Sequence, residues 1–136
     1  MFFLDDCHAV CDCNHINVYT ESSNAYGHAP QIFGMYEKSS ENINGHFHYV
    51  SYNYNGTYGI WFCNTFPSWI IGLVEEKGQC KGYAYMKSNE SCLLCLPNWG
   101  WRLFEGKSFL HKSRWVSYKK AKTLKIKCLK SSGKIV

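Results

Sequence analysis

The sequence predicts an all-β domain held by disulfides: a single antiparallel sandwich or partly open barrel behind an irregular, cysteine-rich N-terminal segment. Three observations carry this expectation. Short runs of alternating apolar and polar residues recur along the chain, separated by Asn-Gly, Gly and Pro turn signals. No longer window keeps a helical apolar period. Eight cysteines run from Cys7 to Cys128, an even number of the kind that builds a disulfide framework in an oxidising compartment. With 136 residues, 46% of them hydrophobic and 18% charged, the chain has material for one core and one domain rather than for a disordered segment.

The elements follow in order. Residues 1–15 read as a Cys-rich N-terminal extension, with Cys7, Cys11 and Cys13 set among Asp and His. Residues 16–128 form the β domain. Its first strand is Ile16–Tyr19, and the polar stretch 20–31 is a loop. Ile32–Tyr36 is a second strand. Asn44-Gly45 is a hairpin signal, because Asn and Gly tolerate positive φ, and His46–Tyr52 alternates behind it. A second turn, Asn53-Tyr54-Asn55-Gly56, leads into Thr57–Phe62. Trp69–Val74 follows Pro67, Glu75–Gly78 is a polar turn, and Gly82–Met86 alternates again. Lys87–Asn98 is a loop carrying Cys92 and Cys95. Trp99, Trp101 and Leu103 recur at the strand period, and Glu105-Gly106 turns the chain. Thr123–Cys128 places Leu124, Ile126 and Cys128 on one face and Lys125 and Lys127 on the other. Residues 129–136 read as a flexible basic tail.

The cysteines admit two chemistries. Structural disulfides are the preferred one. Cys128 is expected to pair with Cys13 or a near neighbour, joining the last strand to the segment before the first, and Cys80 with Cys92 or Cys95. The rival is zinc, which wants a tetrahedral set of soft ligands. Cys7, Cys11 and Cys13 with His8 and His15, or Cys92-x-x-Cys95 with a distant pair, would supply one. His46-x-His48 places two imidazoles on one strand face, read as a solvent face opposite Phe47 and Tyr49. No metal or other cofactor is expected.

Two sequons, Asn55-Gly56-Thr57 and Asn89-Glu90-Ser91, make Asn55 and Asn89 candidate glycosylation sites and support a secreted or extracellular location. Asp5 and Asp6 interrupt the short apolar start, so the chain reads as a mature form without a signal peptide. No run reaches the ~20 apolar residues of a membrane helix.

The order of several pieces resembles a recurrent, poorly characterised module of metazoan and protist extracellular proteins. Cys13 comes first, and the aromatic strand Tyr58-Gly59-Ile60-Trp61-Phe62 leads to Trp69-Ile70-Ile71-Gly72. The Cys80–Met86 stretch, Leu96-Pro97-Asn98-Trp99 and the closing Leu124-Lys125-Ile126-Lys127-Cys128 complete it, so the likeness spans most of residues 13–128. The Cys7/Cys11 extension and Leu96, between Cys95 and Pro97, depart from the pattern. The resemblance implies an extracellular interaction module and brings no catalytic residue with it.

Charge points the same way. Residues 1–101 carry four Lys against nine Asp or Glu, a balance of −5. Residues 102–136 carry eleven Lys or Arg against Glu105 alone, a balance of +10. A basic end suits an anionic partner. In a disulfide-rich chain that partner is expected to be an extracellular protein, a glycan or a membrane surface, with no nucleic acid involved and self-association open. Aromatic residues make up 17% of the chain, enough to fill a core and still furnish a contact platform. The candidate contact residues are Tyr52, Tyr54, Trp99, Trp101, Lys125 and Lys127. There is no Gly-x-Ser-x-Gly elbow and no Gly-rich phosphate loop. Glu75 and Glu76 would point to opposite faces of a strand, which is poor geometry for a glycosidase pair. The reading is therefore a non-enzymatic binding or adhesion domain. The rivals are a structural subunit of a matrix, coat or fibre, and a secreted toxin or defence protein.

Overall fold

The computed structural model describes residues 6–20, 32–52, 56–97, 100–104, 118–120 and 124–129. Among the described residues a helical turn, α1 (Asp6–Ala9), precedes nine strands. They are β1 (His15–Tyr19), β2 (Gly34–Ile43), β3 (His46–Ser51), β4 (Tyr58–Cys63), β5 (Ser68–Leu73), β6 (Ala84–Lys87), β7 (Arg102–Phe104), β8 (Tyr118–Lys120) and β9 (Lys125–Leu129). The 3-10 turns Val74–Glu76 and Leu93–Cys95 lie in the connections.

All nine strands belong to one antiparallel sheet in the order β8-β7-β6-β5-β4-β3-β2-β1-β9. The chain meanders from β1 to β8 and then returns to lay β9 against the free side of β1. The sheet curls into a half-barrel, so of the two expected architectures it takes the open barrel and not the sandwich. The β2–β3 turn is built from Asn44 at φ 53° and Gly45 at φ 81°, the positive-φ pair that matches strand twist in a tight hairpin.

Alternation fixes the two faces. Tyr49, Ile60, Ile71, Ala84 and Leu103 stand opposite one another in register from β3 to β7, and all are buried in one cluster. Ile16, Val18 and Tyr36 extend that cluster onto β1 and β2, and Leu124, just before β9, also joins it. These residues line the concave side. Val10, just after α1, and Leu93, Leu94 and Leu96, in and beside the second 3-10 turn, pack onto the same cluster.

Four disulfides tie this arrangement: Cys7–Cys95, Cys11–Cys92, Cys13–Cys128 and Cys63–Cys80. Their Cα–Cα separations of 5.0, 5.6, 6.0 and 5.3 Å suit the bond. The Cys13–Cys128 pairing agrees with expectation and joins the segment before β1 to β9. The expectation for Cys80 is corrected: its partner is Cys63, and Cys92 and Cys95 take the N-terminal cysteines.

The reason lies on the convex face. After β5 the chain folds back across β4 and β5 through residues 74–83. Gly72 and Gly82 permit this, since a Cβ on Gly82 would stand 2.6 Å from the Ile71 carbonyl oxygen and 2.6 Å from Ile70 Cγ2. The returning loop buries Trp61, Cys63 and Ile70 in a second, smaller cluster with Ile43, Cys80 and Tyr85 around it. The Trp61 indole N–H donates to the Gln79 carbonyl at 2.7 Å. Cys80 is thereby placed over Cys63.

Two further differences concern strand ends. β2 runs on through Glu37–Ile43, well past the expected Tyr36, because this hairpin arm is largely solvent-facing and shows no apolar alternation. Its register with β3 shifts between Lys38 and Asn42. Leu129 belongs to β9, opposite His15, and not to a tail.

Candidate binding face and the cysteine–histidine cluster

The outward side chains of β1 alternate with its buried ones, and β9 and β2 flank it. On β1, Ile16 and Val18 point inward while His15, Asn17 and Tyr19 point outward. On β9, Lys125 stands opposite Tyr19 and Lys127 opposite Asn17. On β2, Met35 stands opposite Asn17 and Glu37 opposite His15. The Lys127 ammonium lies 5.0 Å from the centre of the Tyr19 ring, close enough for a cation–π contact. Tyr52 is 57% exposed; its N–H donates to the Met35 carbonyl at 2.7 Å, and its ring meets His15 edge-on at 6.2 Å between centroids. The His15 Nε2 to Glu37 Oε2 distance is 3.9 Å. The sheet thus collects two lysines, two tyrosines and a histidine on one face.

Three of the six expected contact residues, Tyr52, Lys125 and Lys127, belong to this face. Tyr54 and Trp99 lie outside the described residues. Trp101 is corrected: at 1% exposure it is a core residue in line with Leu103. Trp61 and Trp69 are buried as well, so every tryptophan among the described residues packs the interior. Asn89 is exposed in its loop, while Asn55 lies outside the described residues. Tyr19 and His15 were not expected to take part. Their signal was the polar half of the β1 alternation, which gains meaning only once β9 is known to lie beside β1. Phe66, also missed, stands 37% exposed at the β4–β5 turn with Lys87 Nζ 5.6 Å from its ring centre.

The expected solvent face at His46-x-His48 is corrected too. His46 stacks on Phe62 at 4.2 Å between centroids. His48 is 1% exposed, and neither ring nitrogen has a hydrogen-bond partner among the described residues. The hairpin arm of β2 and the loop from Val74 close over it. They are joined by the Lys77 Nζ–Glu41 Oε1 ion pair at 2.8 Å. Burial, and then the positive charge of Lys77, hold the His48 pKa below the usual histidine value, while the Glu41 carboxylate and, more weakly, the Glu41 backbone pull it the other way. Burial also pushes the Tyr49 phenol up to about 12 and raises that of Tyr36 further, so both stay neutral; the Tyr36 hydroxyl donates to the Ile32 carbonyl at 2.7 Å.

A different chemistry gathers at the mouth of the half-barrel. Cys7 and Cys11 sit in and just after α1, four residues apart. Cys92 and Cys95 bracket the second 3-10 turn. The two turns face each other, so the bridges form neighbouring rungs. His8 stands beside the outer rung: its Nδ1 is 3.8 Å from Cys7 Sγ, and the ligand atoms of Cys7, His8 and Cys95 all lie within 4.8 Å of one another. Its Nε2 is 3.4 Å from Glu90 Oε2. The Glu90 carboxylate is fixed in turn, accepting from the Cys92 N–H at 3.2 Å, and the Glu90 carbonyl accepts from the Trp69 indole at 2.9 Å. With the two sulfurs bonded to each other, the cluster offers no thiolate to a metal.

Comparison of the chain with protein-family models, with curated proteins and with solved structures gave no match.

Proposed function

We propose that this chain is an extracellular binding module that recognises an anionic partner, by class a sulfated glycan, through the outward face of β9, β1 and β2. The observation that carries the reading is the placement of Lys125 and Lys127 beside Tyr19, with Tyr52 and His15 farther along the same face. Ammonium groups attract sulfates, and tyrosine rings stack on the C–H faces of sugars. The excess of positive charge after residue 101 adds long-range attraction. Four disulfides are consistent with an oxidising, extracellular compartment. A rigid scaffold of this kind loses little freedom on binding.

The test is heparin binding by calorimetry at two salt concentrations. Wild-type protein is expected to bind, more weakly at high salt, and a neutral glycan to bind far less. K125E/K127E is expected to weaken heparin binding roughly tenfold or more, since two surface charge contacts contribute about 0.2–1 kcal/mol each and reversal adds repulsion. Y52A should weaken it by a smaller factor. Full affinity in the lysine double variant would refute this face as the site.

A second reading, self-assembly into a structural subunit, has one observation in its favour. The sheet ends at β8 and β9, and among the described residues each pairs on one side only. Concentration-dependent sedimentation would support it, whereas a monomer at all concentrations, with heparin binding intact, supports the first reading.

A further inference from the structure

The geometry points to a latent soft-metal site of the zinc class, made of Cys7 Sγ, Cys95 Sγ and His8 Nδ1, that becomes available when the Cys7–Cys95 bridge is reduced. It stands apart from the binding face proposed above and does not depend on it. Two independent observations carry it. The first is access. Each of the other three bridges has one buried half, namely Cys13, Cys63 or Cys92, whereas both Cys7 and Cys95 are partly exposed. A reductant therefore reaches this bridge most easily. The second is the ligand set. His8 presents Nδ1 to the sulfurs and Nε2 to Glu90. This is the arrangement in which a carboxylate fixes the tautomer and orientation of a metal-binding imidazole. Glu90 is itself held by the Cys92 N–H. Two thiolates and one imidazole make a Cys2His set, which zinc completes with a fourth ligand such as water.

The chemistry balances with a dithiol as the reductant. One of its thiolates attacks the Cys95 sulfur, the Cys7–Cys95 bond breaks, and Cys7 leaves as a thiolate beside His8. The second dithiol sulfur then releases Cys95 and closes the reductant into a cyclic disulfide. Two electrons and two protons have passed to the protein. A divalent zinc ion displaces the two thiol protons and takes the lone pair of neutral His8. The neighbouring Cys11–Cys92 rung keeps α1 against the 3-10 turn, so the ligands stay together while the outer bridge is open.

The experiment uses the full oxidised chain. Limiting dithiol is added and then removed; one portion is alkylated for peptide mass spectrometry, and a separate unalkylated portion is titrated with Co2+ as a spectroscopic probe and with Zn2+ alone. Cys7 and Cys95 are expected to be alkylated first, with the other three bridges closed. Co2+ should then bind one to one with a thiolate-to-cobalt charge-transfer band, and Zn2+ should protect both thiols from alkylation at least tenfold. The oxidised protein should show neither effect. H8A removes a 54%-exposed side chain, so it leaves the fold in place but should abolish the tight site. E90Q should weaken it roughly ten- to a hundredfold. First opening of another bridge, several bridges opening together, no protection by Zn2+, or unchanged metal affinity in H8A would each overturn the inference.

Discussion

Replacing His48 with leucine should stabilise the protein and remove part of its acid sensitivity. His48 is buried beside Gly59, and neither ring nitrogen makes a well-formed hydrogen bond among the described residues, the nearby Glu41 backbone giving only a partial upward pull on its pKa. A buried polar group left without a hydrogen bond costs roughly 1–3 kcal/mol. A leucine of similar volume removes that cost and keeps the packing, so H48L is expected to gain about 1–2 kcal/mol at neutral pH after some loss to imperfect fit. The pH dependence has a fixed sign. Because the His48 pKa is depressed in the folded state, the unfolded chain binds the proton more readily. The stability present above the unfolded histidine value of 6.5 is lost as pH falls from there toward the folded value. The loss proceeds at up to ~1.4 kcal/mol per pH unit. Other groups titrate in the same range, so the informative quantity is the difference between wild type and H48L. Guanidinium unfolding of the oxidised proteins at pH 7.5, about 6 and about 5 measures it. The gap should widen as the pH falls. An H48L protein less stable than wild type at neutral pH, with a gap that does not change with pH, would refute the reasoning.

The remaining predictions concern the convex face and the bridges. Trp61→Ala should cost about 3–5 kcal/mol, because it empties the smaller cluster and orphans the Gln79 carbonyl; thermal unfolding of oxidised protein checks it. Gly82→Ala should cost about 1–3 kcal/mol through overpacking, since its Cβ meets the Ile71 carbonyl and Ile70. Gly45→Ala, with nothing within 4 Å of its Cβ, should lose about 1–2 kcal/mol from its positive φ alone. Replacing Cys13 and Cys128 with serine should destabilise more than replacing Cys63 and Cys80. In a chain-entropy account the longer separation of 115 residues against 17 is worth about 4–5 against 3 kcal/mol, and denaturant midpoints of the two double variants compare them.

Most of the sheet was legible because inward residues alternate with outward ones. Ile16 and Val18, Trp101 and Leu103, and Leu124 and Ile126 each announce a buried face, and Asn44-Gly45 announces its hairpin. The Cys13–Cys128 link was legible because the first and last strands each border one of those cysteines. What escaped depends on contacts between segments distant in sequence. The path of residues 74–83 over the convex face is set by the close approach of Gly72 to Gly82. That path turns His48 from an apparent solvent residue into a buried one and gives Cys80 its partner. A signal for the other pairing did exist. Cys7 and Cys11 are spaced four apart and Cys92 and Cys95 three apart, spacings at which a local turn can bring two sulfurs to one side. Of the binding face, Lys125 and Lys127 were legible from the last alternation. Tyr19 and His15 required the knowledge that β9 lies against β1.

Both the binding face and the latent metal site stand on one claim: that the chain is an oxidised scaffold with four particular bridges. Peptide mapping of the unreduced protein by mass spectrometry tests it most directly. Linked peptides joining Cys7 to Cys95, Cys11 to Cys92, Cys13 to Cys128 and Cys63 to Cys80, with no free thiol, are the predicted result. Cys80 linked to Cys92 or Cys95, or eight free thiols in protein isolated under non-reducing conditions, would contradict it.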